Sequence, residues 1–296
     1  MTETQAVTPR GLGGIAAMLV AAALAAGCSS GDSTDADSEP SFPDGSFTVI
    51  ANADIGTGPT RLLIGVAAQD GTRLGSPDHP IRVEAALLDD PDRSQQVSAE
   101  YTWIIEDAVG LYRAEFDFDR AGTWTITVTP ERGEPLPPAP FTVLEETYAP
   151  NVGEAAPDAP TPTLRDHAIE DLTTDHQPDA RFYQMTLTEA LDSGRPTVLI
   201  FSTPAYCLTA TCGPLLDTVK DLAPGYPEVN FIHIEVYTGL NRPDFAPDPA
   251  HLAPAAGAAY WNLPSEPWVF VIDRTGTVTA RFEGAVTSGE LASALD

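Results

Sequence analysis

Basic side chains are scarce in this chain. Fifteen lysines and arginines stand against 43 aspartates and glutamates, a formal net charge of −28, and Lys220 is the sole lysine. A surface of this sign repels polyanions, which excludes nucleic acid as a partner and offers no attraction to anionic lipid headgroups. Cysteine is scarcer still, with Cys28, Cys207 and Cys212 the only three. No Met- or His-rich tract is present to recruit copper, and His79, His167 and His176 stand isolated, as surface or loop histidines do. Beyond residue 27 no run is long and apolar enough to span a bilayer.

The N-terminus reads as a targeting signal. Arg10 is followed by an Ala-rich apolar run, Gly11 to Gly27, of about 17 residues, at the short end for a spanning helix and closing in small residues. The ending Leu24-Ala25-Ala26-Gly27-Cys28 resembles the lipobox of bacterial lipoproteins, with Ala25 where an apolar residue is usual. That resemblance implies a signal peptide over 1–27, lipid attachment at Cys28, and an extracytoplasmic chain touching the membrane through its anchor alone. Cleavage removes Glu3 and Arg10 together, so the charge of the mature chain is unchanged. Cys207 and Cys212 are left as an even pair in a compartment where disulfides persist.

Residues 28–45, rich in Ser, Asp and Pro, read as a disordered tether. Over 46–146 short alternating runs (47–51, 61–69, 81–88, 99–105, 111–118, 123–129 and 140–144) are separated by turn signals such as Asp70-Gly71 and Ala121-Gly122, which predicts a seven-stranded β-sandwich. The stretches Gly110-Leu111-Tyr112-Arg113-Ala114-Glu115-Phe116 and Gly122-Thr123-Trp124-Thr125-Ile126-Thr127-Val128 resemble the last strands of bacterial Ig-like and YtkA/FixH-like domains. Residues 147–178 read as a Pro-rich linker. From 179 to 296 the pattern becomes α/β: helices over 187–193, 214–222 and from 288, and strands over 196–202, 230–236, 268–272 and 278–282. The strand 196–202 is apolar on both faces, as one covered on each side should be.

Two stretches carry the chemistry. The first runs from the apolar strand through Ser202-Thr203-Pro204-Ala205-Tyr206-Cys207 to Cys212-Gly213-Pro214, where a helix opens. Free N–H groups at a helix start stabilise a thiolate, which makes the sulfur a better nucleophile and leaving group. The second is Leu263-Pro264-Ser265-Glu266-Pro267-Trp268-Val269-Phe270-Val271-Ile272-Asp273. In that order the two resemble the thioredoxin-like proteins of TlpA/ResA type. The resemblance implies a thioredoxin-like domain over 179–296, a catalytic pair Cys207 and Cys212, a cis-proline at Pro267 and substrate binding at Glu266 and Pro267. It implies no metal and no cofactor, protein thiols and disulfides as partners, and thiol–disulfide oxidoreductase activity.

Two departures shape the alternatives. The cysteines have four residues between them where the family has two, Ile200 stands where thioredoxins carry a buried aspartate, and Glu235 is the candidate to replace it as proton acceptor if it does not face solvent. A non-enzymatic scaffolding lipoprotein with a structural disulfide is the main rival. A thiol peroxidase would want a hydroxyl residue at Pro204 and an arginine near Pro267. A Sco-like copper carrier would need a late histidine ligand, for which His251 is the candidate. Trp103 and Trp124 read as sandwich core, whereas Trp261 and Trp268 could line a substrate groove or pack the core.

Overall fold

The computed structural model describes residues 41–207, 211–240 and 252–296. The signal-like segment 1–27, Cys28, tether residues 29–40 and His251 lie outside them. The described residues belong to one compact unit.

The first eight strands are β1 (Phe47–Ile50), β2 (Gly58–Ala67), β3 (Arg73–Leu74), β4 (Ile81–Leu87), β5 (Asp90–Ile105), β6 (Val109–Phe118), β7 (Gly122–Pro130) and β8 (Ala139–Val143); the seven expected runs each overlap one of them, whereas β3 and the first part of β5 lie outside those runs. Every second side chain points inward, so Leu62, Ile64 and Val66 of β2 meet Val83, Ala85 and Leu87 of β4 and Trp124, Ile126 and Val128 of β7 in one core. Each fully buried side chain of this kind contributes about 1.5–3 kcal/mol. The Trp124 indole N–H donates to the Arg120 carbonyl at 3.0 Å, which satisfies its polar end inside that core.

The remaining elements are α1 (Ile169–Leu172), α2 (Leu187–Asp192), β9 (Thr197–Phe201), α3 (Cys212–Leu222), β10 (Asn230–Ile234), β11 (Tyr237–Thr238), β12 (Ala253–Pro254), α4 (Ala256–Tyr260), β13 (Trp268–Ile272), β14 (Val278–Glu283) and α5 (Ser288–Leu295). Helix α2 starts at a capping box, Thr186 with Glu189, and α5 at another, Thr287 with Glu290. Strands pair in the order β10-β9-β13-β14. All five residues of β9 are buried. Val198 and Ile200 face one core with Leu215, Leu216 and Val219 of α3, while Leu199 and Phe201 face another with Trp261, Trp268 and Phe270.

The expected class, a β-sandwich followed by an α/β thioredoxin-like fold, is corrected by this architecture. Among the described residues the structure is mostly β, with 38% strand and 17% helix, and the first half is a nearly closed, barrel-like antiparallel sheet in the order β1-β2-β6-β5-β4-β7-β8, with β3 on β2. The physical reason lies in β5. It pairs with β4 over Asp90–Ala99 and with β6 over Glu100–Ile105, so one 16-residue strand joins what would otherwise be two separate sheets. Alternation reports that one face is buried, and a closing sheet meets that condition as well as a sandwich does. In the second half only β10–β9 is parallel, whereas β9–β13 and β13–β14 are antiparallel. Apolarity on both faces established burial of β9 but carried no information about strand direction.

Charged groups tie the second sheet to the first. The Asp54 carboxylate accepts from the Tyr148 and Ala149 amides at 2.8 and 3.0 Å and pairs with Arg281 at 2.8 Å. Glu283 accepts from the Ala53 and Asp54 amides at 2.8 and 3.2 Å, and Glu290 pairs with Arg61 at 2.5 Å and Arg113 at 3.1 Å.

Candidate functional site

Cys207 and Cys212 are joined as a disulfide with Cα atoms 5.9 Å apart. Cys212 is the first residue of α3 and is 0% exposed. It is held there because the next turns of α3 bury Leu215, Leu216 and Val219. Cys207 lies in the segment between β9 and α3 and is half-buried. The Cys212 amide donates to the Cys207 Sγ at 3.3 Å, so an N–H of the first helical turn, which has no intrahelical acceptor, is directed at the outer sulfur.

Opposite the disulfide lies the segment that leads into β13. The Glu266–Pro267 peptide is cis, and the Glu266 carboxylate and both sulfurs lie within 4.8 Å of one another. Glu266 Oε2 is buried without a hydrogen-bond partner. Burial pushes this carboxyl up to about 7, against an opposing effect of the Thr203 hydroxyl. The Thr203 oxygen has no partner of good hydrogen-bond geometry, yet it is close enough to favour the ionised form of both Glu266 and Glu235.

Glu235 follows β10 and is only 9% exposed, so it does not face solvent. Its Oε1 accepts from the Thr174 amide, from the Thr174 hydroxyl at 2.9 Å and from the Thr173 hydroxyl at 3.2 Å, while Oε2 has no partner. Burial outweighs these hydrogen bonds and pushes the carboxyl up to about 7. Thr174 also accepts from the Ala205 amide at 3.1 Å, two residues before Cys207. The 173–177 stretch is clamped to α3 by Lys220, which pairs with Asp175 at 2.6 Å. Glu235 lines a cavity of about 540 Å³ with Thr173, Tyr237 and Leu240.

Of the sequence-predicted residues, Cys207, Cys212, Glu266 and Pro267 come together, and Cys28 lies outside the described residues. Ile200 is buried apolar core. Trp261 and Trp268 are fully buried and pack against Phe270, so they do not line an open groove. Sequence reasoning missed Thr203 and His233. The His233 ring is fully enclosed, with Tyr183 Oη 2.8 Å from Nδ1 and Ser202 Oγ 2.9 Å from Nε2, and burial pushes it down to about 4, which keeps it neutral. Its signal was weak but present: a histidine between two isoleucines in the strand Asn230-Phe231-Ile232-His233-Ile234.

No protein-family model matches the chain, and no curated protein matches it in sequence.

Proposed function

We propose that the chain is a thiol–disulfide oxidoreductase acting on protein disulfides, with Cys207 as the exchanging sulfur and Cys212 as the resolving one. The asymmetry of the pair carries this reading. One sulfur is reachable and receives an amide N–H, and the other is sealed under α3, which is the division of labour that exchange requires. In the reduced protein the Cys207 thiolate attacks one sulfur of a substrate disulfide. That bond breaks, and the leaving thiolate takes a proton from solvent. The Cys212 thiol then gives up its proton and attacks the Cys207 sulfur, which releases the second substrate thiol and closes the internal disulfide. Run in reverse, the same steps oxidise a substrate dithiol.

Glu266 and Pro267 border the exchange position, and an extended substrate segment would lie against them. The lipid anchor at Cys28 belongs to the same proposal, since it would hold the pair outside the cytoplasm, where disulfides persist. The TlpA/ResA likeness enters as a likeness of motifs alone.

Trapping tests the reading. Cys212→Ser should accumulate mixed disulfides with partner proteins and Cys207→Ser should not. If neither variant traps a partner, and the wild-type potential lies below about −300 mV, as structural disulfides do, the pair is a staple and the chain a scaffold.

A further inference from the structure

We propose that the reduced protein binds one zinc ion between the Cys207 and Cys212 sulfurs and the Glu266 carboxylate, and that the bound ion withdraws the pair from exchange. The geometry is the first support. Three ligand atoms from two separate segments already lie within 4.8 Å of one another. A tetrahedral zinc with Zn–S near 2.3 Å and Zn–O near 2.0 Å spaces its ligand atoms about 3.5–3.8 Å apart. Reduction parts the two sulfurs to non-bonded distance, toward that spacing, and a small inward movement of Glu266 completes the triangle.

The second support is the state of Glu266 itself. Its Oε2 is buried without a hydrogen-bond partner, and such an acceptor gains from a cation that coordinates it. Two other buried carboxylates here are already paired with bases, Asp54 with Arg281 and Glu290 with Arg61 and Arg113. Among the described residues no lysine or arginine pairs with Glu266.

Donor chemistry selects the ion. Two thiolates are too soft for magnesium or calcium, which take oxygen ligands. A carboxylate is a poor ligand for copper(I), which prefers sulfur. Zinc accepts both, and three protein ligands leave a fourth position to water. The balance is simple. A dithiol reductant supplies two electrons and two protons to open the disulfide and is itself oxidised to a disulfide. Zinc stays divalent, forms two Zn–S bonds and one Zn–O bond, and displaces the two thiol protons to solvent. A sulfur bound to zinc no longer attacks a disulfide freely. The inference goes beyond the redox reading, because it needs only the reduced pair, however it is reduced.

Cobalt(II) is the probe. The full chain, reduced with dithiothreitol and freed of it without air, should take one cobalt per chain with thiolate-to-cobalt charge-transfer absorption and a tetrahedral visible spectrum, and zinc should displace it. The oxidised protein should show neither. Glu266→Gln should keep the thiolate bands but bind zinc at least about tenfold more weakly. Each single Cys→Ser variant should lose about half the charge-transfer intensity. Two measurements on the wild type alone keep the test decisive if a variant fails to fold: zinc should slow alkylation of both cysteines, and each zinc should release the thiol protons. A reduced wild type without charge-transfer absorption, cysteines that zinc does not protect, or a folded Glu266→Gln variant that binds zinc as tightly as the wild type, each overturns the proposal. The trapping experiment fails or succeeds independently of all of these.

Discussion

Replacing Glu235 by Gln removes a buried carboxyl while leaving its shape and its accepting oxygen in place. The Thr173 hydroxyl and the Thr174 amide and hydroxyl can still donate to the amide oxygen, and the new NH₂ falls where Oε2 now has no partner. The carboxyl has an ordinary value of 4.5 and is pushed up to about 7 in the fold. A raised value means that the folded state holds the proton more tightly than the unfolded chain. Its contribution to stability is therefore fully present below about pH 4.5 and is lost as the pH rises through about 7. Holding the proton up to about 7 instead of 4.5 makes this loss about 3 kcal/mol. At about pH 4 the wild-type carboxyl and the Gln amide are both neutral, so the difference between the proteins there is a baseline set by packing alone. At about pH 8 the wild type holds a buried charge and the variant does not, so the variant should have gained about 3 kcal/mol over that baseline. Urea unfolding followed by tryptophan fluorescence at both pH values measures it. A variant-minus-wild-type difference that is the same at the two pH values would refute the reasoning, because it would mean that Glu235 is ionised at no cost.

His233 acts in the opposite sense: pushed down to about 4 from 6.5, it supports the fold above about pH 6.5 and withdraws up to about 3 kcal/mol as the pH falls toward about 4. His233→Gln should flatten that acid slope in the same unfolding assay, and an unchanged slope would show that another group sets it. Arg281→Ala strips the fully buried Asp54 side chain of its one ion-pair partner among the described residues, and should cost about 3–5 kcal/mol. Arg281→Ala with Asp54→Asn should recover part of that loss in a double-mutant cycle, and strict additivity would count against the pairing.

Legibility in the sequence followed the range of the interaction. The positions of β2, β4, β6 and β7 could be read because period two is a local property of each segment. The closure of the sheet could not, because it depends on the first part of β5. There the residues Asp92-Arg93-Ser94-Gln95-Gln96 are polar and mostly exposed, so they carry no apolar alternation and read as a turn, yet they pair with β4. At the site, Cys207, Cys212 and Pro267 could be read because each sits in a short motif. The groups that set the chemistry around them are assembled across long separations. Thr173 and Thr174 reach Glu235 from 62 and 61 positions away, and Tyr183 reaches His233 from 50. Nothing local marks a threonine as the partner of a distant carboxylate.

The acidity that opens the sequence and the chemistry around the disulfide are connected. With 43 acidic side chains and 15 basic ones, most carboxylates have to be left in solvent, and every buried one that is paired uses a base that another cannot have. Arg61 and Arg281 are used where the two sheets meet, on Glu290 and Asp54, and Lys220 on Asp175 beside α3. Among the described residues no base forms an ion pair with Glu235 or Glu266, beside the ends of β9 and β10. Three of the seven buried side-chain atoms without a partner among the described residues, on Thr203, Glu235 and Glu266, fall there. In an interior of low effective dielectric such groups are costly, and the cost falls when a proton or a cation arrives. Opening a disulfide takes up two protons and leaves two sulfurs that can bind metal. The unsatisfied oxygens thus stand where the reaction changes the local charge, and the acid-to-base imbalance fits Glu235 and Glu266 having no ion-pair partner among the described residues.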